Sequence, residues 1–150
     1  MIQIITAAAG FLLAVLWFDL MFDVQTLAHR HAAEVPDAVL ASIAAYYHRV
    51  TTTATPMGRL VAVVMLALIA SLITRAVRHD APVWASAASF AAASLGIGLA
   101  MARTFPAARR LGTRTDALAA QSTLARNILR EHIVCFASMA TLLTVQFVAA

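Results

Sequence analysis

The residues of this chain that can do chemistry are few, and they gather at the ends of apolar runs. Trp17-Phe18-Asp19-Leu20-Met21-Phe22-Asp23 closes the first run. Asp19 and Asp23 are four residues apart, so on a helix they share a face. Asp19 falls about one turn inside the apolar boundary, where an ionisable group is costly and needs a partner. It reads either as a structural ion pair with Arg59, Arg103 or Arg130, or as a proton carrier or substrate anchor. Asp23 reads as a solvated helix end. The last apolar run opens Arg126-Asn127-Ile128-Leu129-Arg130-Glu131-His132. His132 lies inside the boundary, either as a satisfied interfacial imidazole or as a general base, because an imidazole exchanges protons near neutral pH. Arg130 is a partner for Asp19, which leaves Glu131 for Arg103 or water. Tyr46 and Tyr47 read as interfacial anchors with wet hydroxyls. If their segment folds over the mouth of a helical bundle, Tyr47 and His48 line a pocket with Asp19 and His132. Such a site would use Asp19 and His132 as its acid–base pair, with Arg103 or Arg130 stabilising an anion.

Other chemistries find little support. His29 and His31, in Leu27-Ala28-His29-Arg30-His31, are two imidazoles without further ligands, and no metal is expected there. Cys135 is the only cysteine and sits inside an apolar run, where it reads as a small buried hydrophobe. Haem is not expected either, since only His132 is placed to act as an axial ligand within a span. No Walker loop, dinucleotide fingerprint, GxSxG or HExxH occurs.

The elements that must position these residues follow from composition. The chain is 62% hydrophobic and 12% charged, against about 45–50% and 25% in a soluble domain. That excess cannot be buried in one core of 150 residues. Four runs, about 2–22, 57–73, 83–102 and 128–149, approach the roughly 20 residues that cross a bilayer as a helix. They do not alternate apolar and polar, so they do not read as barrel strands. The expected fold is therefore all-α, one integral membrane domain with four transmembrane helices. The first run has no basic residues before it and is longer than a signal-peptide core, so it reads as a retained helix. Pro36 and Asp37 mark a helix start, and Val39, Leu40, Ile43, Tyr47 and Val50 then recur at helical spacing. A short amphipathic helix is expected between spans 1 and 2, lying at the interface.

All basic residues are arginine, and their placement is asymmetric. Arg30, Arg49, Arg59, Arg103, Arg109, Arg110, Arg114, Arg126 and Arg130 fall at the first and third connections, against Arg75 and Arg78 at the second. The positive-inside rule puts the first group in the cytoplasm and both termini outside, as in a bacterial inner membrane. The same rule accounts for the net charge of +4 without nucleic acid. Arg109, Arg110 and Arg114 suit contact with anionic lipid headgroups. In the third span Ala88, Ala92, Gly96 and Ala100 recur every fourth residue, a ridge that permits close helix packing within the bundle or with a partner subunit.

This layout resembles the anthrone-oxygenase-like family of small four-helix membrane proteins. The resemblance rests on the N-terminal span, the long first connection with its short helix, and Pro56 at the entry to span 2. Thr104-Phe105-Pro106 at the end of span 3, and Asn127 with Arg130 opening span 4, complete it. It implies a four-helix fold and, for some relatives, cofactor-free oxidation of polycyclic aromatics. The sequence itself leaves three functions open. A membrane subunit or scaffold asks least of the residues. A binder or enzyme for a lipophilic molecule would need the polar groups to meet around a cavity rather than be consumed as ion pairs. A proton-coupled transporter would need Asp19 as its carrier.

Overall fold

A computed structural model describes residues 1–149. Six α-helices account for most of them: α1 (Ile2–Asp23), α2 (Asp37–His48), α3 (Thr55–Val77), α4 (Val83–Leu99), α5 (Phe105–Thr113) and α6 (Leu118–Val148). Four helical stretches are long and apolar enough to cross a membrane: Ile2–His29, Thr55–Val77, Val83–Thr113 and Leu118–Val148. Each satisfies its backbone hydrogen bonds internally, as a chain in hydrocarbon must. The fold is an all-α four-helix bundle, with α2 between the first two spans as the Pro36-Asp37 signal predicts. The helix packs against α5 and touches α1 and α6.

The helices run further than the apolar runs alone require. The fourth begins at Leu118 rather than near Ile128, because its first turns bury Gln121, Ser122 and Ala125 against protein instead of lipid. The third does not stop at Thr104-Phe105-Pro106. It passes through a π-helical turn, Ala100–Thr104, and continues as α5 with Pro106 in the first turn. A proline interrupts the ladder of a regular helix but is tolerated in a first turn, so the widened turn lets the helix bulge there rather than end. A second π turn, Arg49–Thr53, absorbs the Thr-rich segment before α3. Helix α5 stops at Arg114, whose left-handed φ of 56° is held by bonds from its guanidinium to Asp37 at 2.5 Å and Gln121 at 2.6 Å.

Two cores result. In the first, α6 packs against α1 and α4, and α3 closes the ring against the same two helices. Ile5, Ala9, Leu12, Leu68, Ala93 and Leu142 fill it. Of the small-residue ridge, Ala92 and Gly96 are buried. A Cβ on Gly96 would lie 2.8 Å from Met139 Cε and 3.3 Å from Ser138 Cβ, so the ridge is used for packing against α6. Ala88 is half-buried beside it. The second core joins α2, α5 and the start of α6 into a cap, with Leu40, Ile43, Tyr47, Leu111 and Ile128 inside. Helices α2 and α5 cross closely at Gly112, where a Cβ would lie 2.9 Å from the His48 backbone nitrogen.

Helix α3 is the loosest member. All of its buried residues, Leu68, Ser71, Leu72 and Arg75, lie in its C-terminal half. Its N-terminal half is more exposed, with Val61, Val64 and Met65 only partly buried against the first core. Arg75, read from sequence as part of the second connection, belongs instead to the helix and is buried. Its guanidinium bonds to Gln146, which donates to Ser89 at 2.7 Å. It also reaches the Ala149 carbonyl at 3.4 Å, where a cation meets the negative end of the α6 dipole.

Candidate functional site

The cap closes over one end of the bundle and brings α1, α2 and α6 together there. Asp19 and Asp23 share a face of α1, as their spacing requires. Tyr46 and Tyr47 descend from the last turn of α2, and His132 projects from α6. The Tyr47 hydroxyl donates to Asp23 Oδ1 at 2.6 Å. His132 Nδ1 lies 2.6 Å from Asp23 Oδ2, the geometry of an N–H donated to a carboxylate. The Tyr46 hydroxyl donates to Asp19 Oδ1 at 2.7 Å. His132 Nε2 faces Asp19 Oδ2 across 3.8 Å, beyond hydrogen-bond length. Asp23 thus orients the imidazole through one nitrogen and leaves the other free, which is how a carboxylate prepares a histidine for proton transfer. Phe22 stacks on Tyr46 with centroids 4.1 Å apart, and Tyr46 meets Tyr47 edge-on at 5.3 Å.

The cluster ends a cavity of about 340 Å³ between α1, α2, α3, α6 and the π turn after α4. Leu12, Leu16, Met65, Ile97 and Met139 give it apolar walls, while Asp19, Tyr46, Tyr47 and His132 line its polar end. Met57, Gly58 and Ala62 also line it and are exposed. The mouth therefore lies beside the exposed N-terminal half of α3. Both π turns contribute to the walls, through Val50 and Thr51 and through Ala100 and Thr104. Widened turns of this kind recur at functional sites.

Asp19, Tyr47 and His132 converge, and His48 does not join them. It is exposed and lines a separate shallow groove with Arg49 and Arg114. The expected arginine partners of Asp19 are elsewhere. Arg103 Nε pairs with Glu131 Oε1 at 3.1 Å and is largely exposed. Thr104 donates to the other oxygen of Glu131 at 3.0 Å. Arg59 and Arg130 are exposed and form no side-chain hydrogen bond or ion pair among the described residues. The physical reason is the cap: α2 fills the space above Asp19, so one carboxylate oxygen accepts from Tyr46 and the other faces His132 instead of an arginine.

Asp23 needs the clearest correction. It is fully buried, not solvated, because the chain turns into a 3-10 segment, Val24–His29, and α2 then folds back over it. Tyr46 was read only as an anchor. The signal for its role was the pairing of adjacent tyrosines with a carboxylate pair spaced one helical turn apart. His31 accepts a bond from Arg30 Nε at 3.0 Å. Among the described residues, no group of three or more His, Cys, Asp or Glu is arranged to hold a metal ion.

Burial first, and then the neighbouring carboxylates, push both phenols well above the ordinary tyrosine range. They remain donors to Asp19 and Asp23 at any physiological pH. These are the chain's only two tyrosines, so the tyrosinate ultraviolet band reports on this site alone. It should stay small past about pH 10, where a free tyrosine is half ionised, and rise only with unfolding. The sign follows from linkage: above that pH the unfolded chain releases protons that the folded chain keeps, so stability falls as pH rises. A normal titration near pH 10 in folded protein would show that the phenols are not buried against carboxylates.

No protein-family model, curated protein or solved structure matches this chain.

Proposed function

We propose that this protein takes a lipophilic small molecule from the bilayer and exchanges a proton with its polar head through His132. The observation that carries this reading is the meeting of Asp19, Tyr46, Tyr47 and His132 at one end of an otherwise apolar cavity. A scaffold requires no such convergence, and buried polar groups that served packing alone would be consumed as closed pairs. The volume of about 340 Å³ lies within the usual range for small-molecule sites, about 300–1,000 Å³. His132 Nε2 accepts a proton from a bound O–H, N–H or acidified C–H, and the imidazolium that forms sits between Asp19 and Asp23. When the proton returns, the site is reset. A lipid-like chain or a polycyclic body, the substrate class implied by the resemblance to the anthrone-oxygenase-like family, fits the apolar walls.

The arginine asymmetry supports a placement of the cap and site at the cytoplasmic face of a bacterial inner membrane, with both termini outside. Ligand would then enter from the inner leaflet, beside α3.

Dodecanol in phosphatidylcholine nanodiscs tests the reading with a neutral probe. Saturable binding of one molecule per chain, seen as a rising unfolding midpoint and as a single adduct by native mass spectrometry, is expected. A ligand-independent midpoint for dodecanol and for its amine and carboxylate counterparts alike would overturn it.

A further inference from the structure

The polar end of the cavity has a definite hydrogen-bonding sense. Both Asp23 oxygens are occupied, by Tyr47 and by His132 Nδ1. One Asp19 oxygen is occupied by Tyr46. The other, Oδ2, and His132 Nε2 stand 3.8 Å apart, and neither has a hydrogen-bond partner among the described residues. His132 is only 6% exposed, so a buried side chain presents an unpaired ring nitrogen to the cavity it lines. With Nδ1–H donated to Asp23, the neutral imidazole presents Nε2 as an acceptor. The cavity therefore offers two adjacent acceptors and no free donor, since both tyrosine hydrogens point at the aspartates.

The charge balance agrees. Two carboxyl groups and one imidazole face each other at the polar end. Neither Arg nor Lys lines the cavity. Arg103, the nearest arginine in sequence to the lining residue Thr104, is held by Glu131 and largely exposed. An anionic head would enter without a counterion, at the cost of burying like charges together. A group with two or three N–H donors spans acceptors at this separation, and a positive charge on it strengthens each of those hydrogen bonds.

We infer that the ligand is a lipophilic amine, bound as its ammonium, with its nitrogen between Asp19 Oδ2 and His132 Nε2 and its apolar body along Leu12, Met65 and Ile97. This rests on the reading of the cavity as a ligand site and names the head group that site selects. The groups facing the ammonium are Asp19 and Asp23 from α1, Tyr46 and Tyr47 from α2, and His132 from α6. Thr104, beside the Glu131–Arg103 pair, is the nearest contribution from the π turn. A proton on His132 and the ammonium compete for the same acceptor. Binding therefore tightens as pH rises and His132 gives up its proton.

The test compares dodecylamine, dodecanol and dodecanoate, equal in tail and different in head, in phosphatidylcholine nanodiscs with empty nanodiscs as the partition control. Dodecylamine should bind roughly tenfold to hundredfold more tightly than dodecanol, as a charge-assisted hydrogen bond implies, and dodecanoate more weakly than either. Asp19→Asn should remove the preference for the amine over dodecanol. Equal or tighter binding of dodecanol, or tightest binding of dodecanoate, overturns the amine while the cavity remains a ligand site. Failure of all three overturns both. The comparison on the unaltered protein decides the matter even where Asp19→Asn does not fold.

Discussion

Asp23→Leu should lower the stability of the folded protein by about 3–5 kcal/mol, the usual consequence of breaking a buried charged pair from one side. Asp23 is fully buried and receives two short hydrogen bonds, from Tyr47 and His132. Leucine removes the acceptor both groups share and leaves them only their long mutual contact of 3.4 Å, so buried hydrogen-bonding capacity goes unmet at a desolvation cost. The loss should be largely reversible by further substitution. Asp23→Leu combined with His132→Leu and Tyr47→Phe replaces the whole polar unit by apolar groups, and such replacements are often neutral or stabilising. The triple variant should therefore be more stable than Asp23→Leu alone, a non-additivity expected of residues in one network. Denaturant unfolding in micelles measures both effects. If Asp23→Leu costs less than about 1 kcal/mol, the range of exposed pairs, then Asp23 is at the protein surface and the cap does not close over it.

The second large effect concerns the apolar wall. Met65→Trp places a larger, stiffer side chain in the cavity from the loosely packed half of α3. Binding of dodecanol or dodecylamine should fall by about a hundredfold or more, because the displaced volume is that of the ligand's own tail and each buried methylene contributes about 0.8 kcal/mol. Stability should change little, since Met65 is only partly buried and the new ring fills empty space rather than overpacking a core. The contrast with Asp23→Leu is informative: one substitution damages the fold through the polar end, the other damages only the cavity. Undiminished binding in Met65→Trp would place the ligand elsewhere on the protein.

Much of this fold is readable from the sequence because hydrocarbon imposes a simple rule. Four apolar runs of sufficient length become four helices, and Pro36-Asp37 starts the short helix between the first two. The meeting of Asp19, Tyr47 and His132 is legible for a related reason. Asp19 closes the first apolar run, His132 opens the last and Tyr47 ends the short helix between spans 1 and 2, and depth in a membrane is nearly a one-dimensional coordinate that a sequence records.

What the sequence hides is lateral position and everything in the cap. Asp23 is bonded to Tyr47 and His132, 24 and 109 residues away, and no local pattern reports such contacts. The start of α6 at Leu118 escapes a hydropathy reading because Gln121 and Ser122 are buried by protein, where polar groups find partners. Ser122 accepts a bond from the Val35 backbone at 2.9 Å. The passage of the third helix through Pro106 depends on a π turn, which has no compositional signature. His48 illustrates the converse. It adjoins Tyr47 in sequence but projects to another side of α2, so adjacency along the chain misassigned it to the pocket.

The cavity also joins two features that are separately unremarkable. A half-exposed α3 alone would be ordinary packing, and a buried carboxyl–imidazole pair alone would be a structural bond. Together they make a polar end reachable from the surface beside α3, which is the basis of the functional reading.

The most direct measurement is a crystal structure grown from a lipidic mesophase and soaked with an alkylamine carrying bromine at the end of its tail. The account predicts an anomalous bromine peak among Leu12, Met65 and Ile97, with the amine nitrogen within hydrogen-bond distance of Asp19 Oδ2 and His132 Nε2. A cavity closed by α3, with no bromine in it and Asp19 paired to Arg103 or Arg130, would contradict the account and return these residues to a purely structural role.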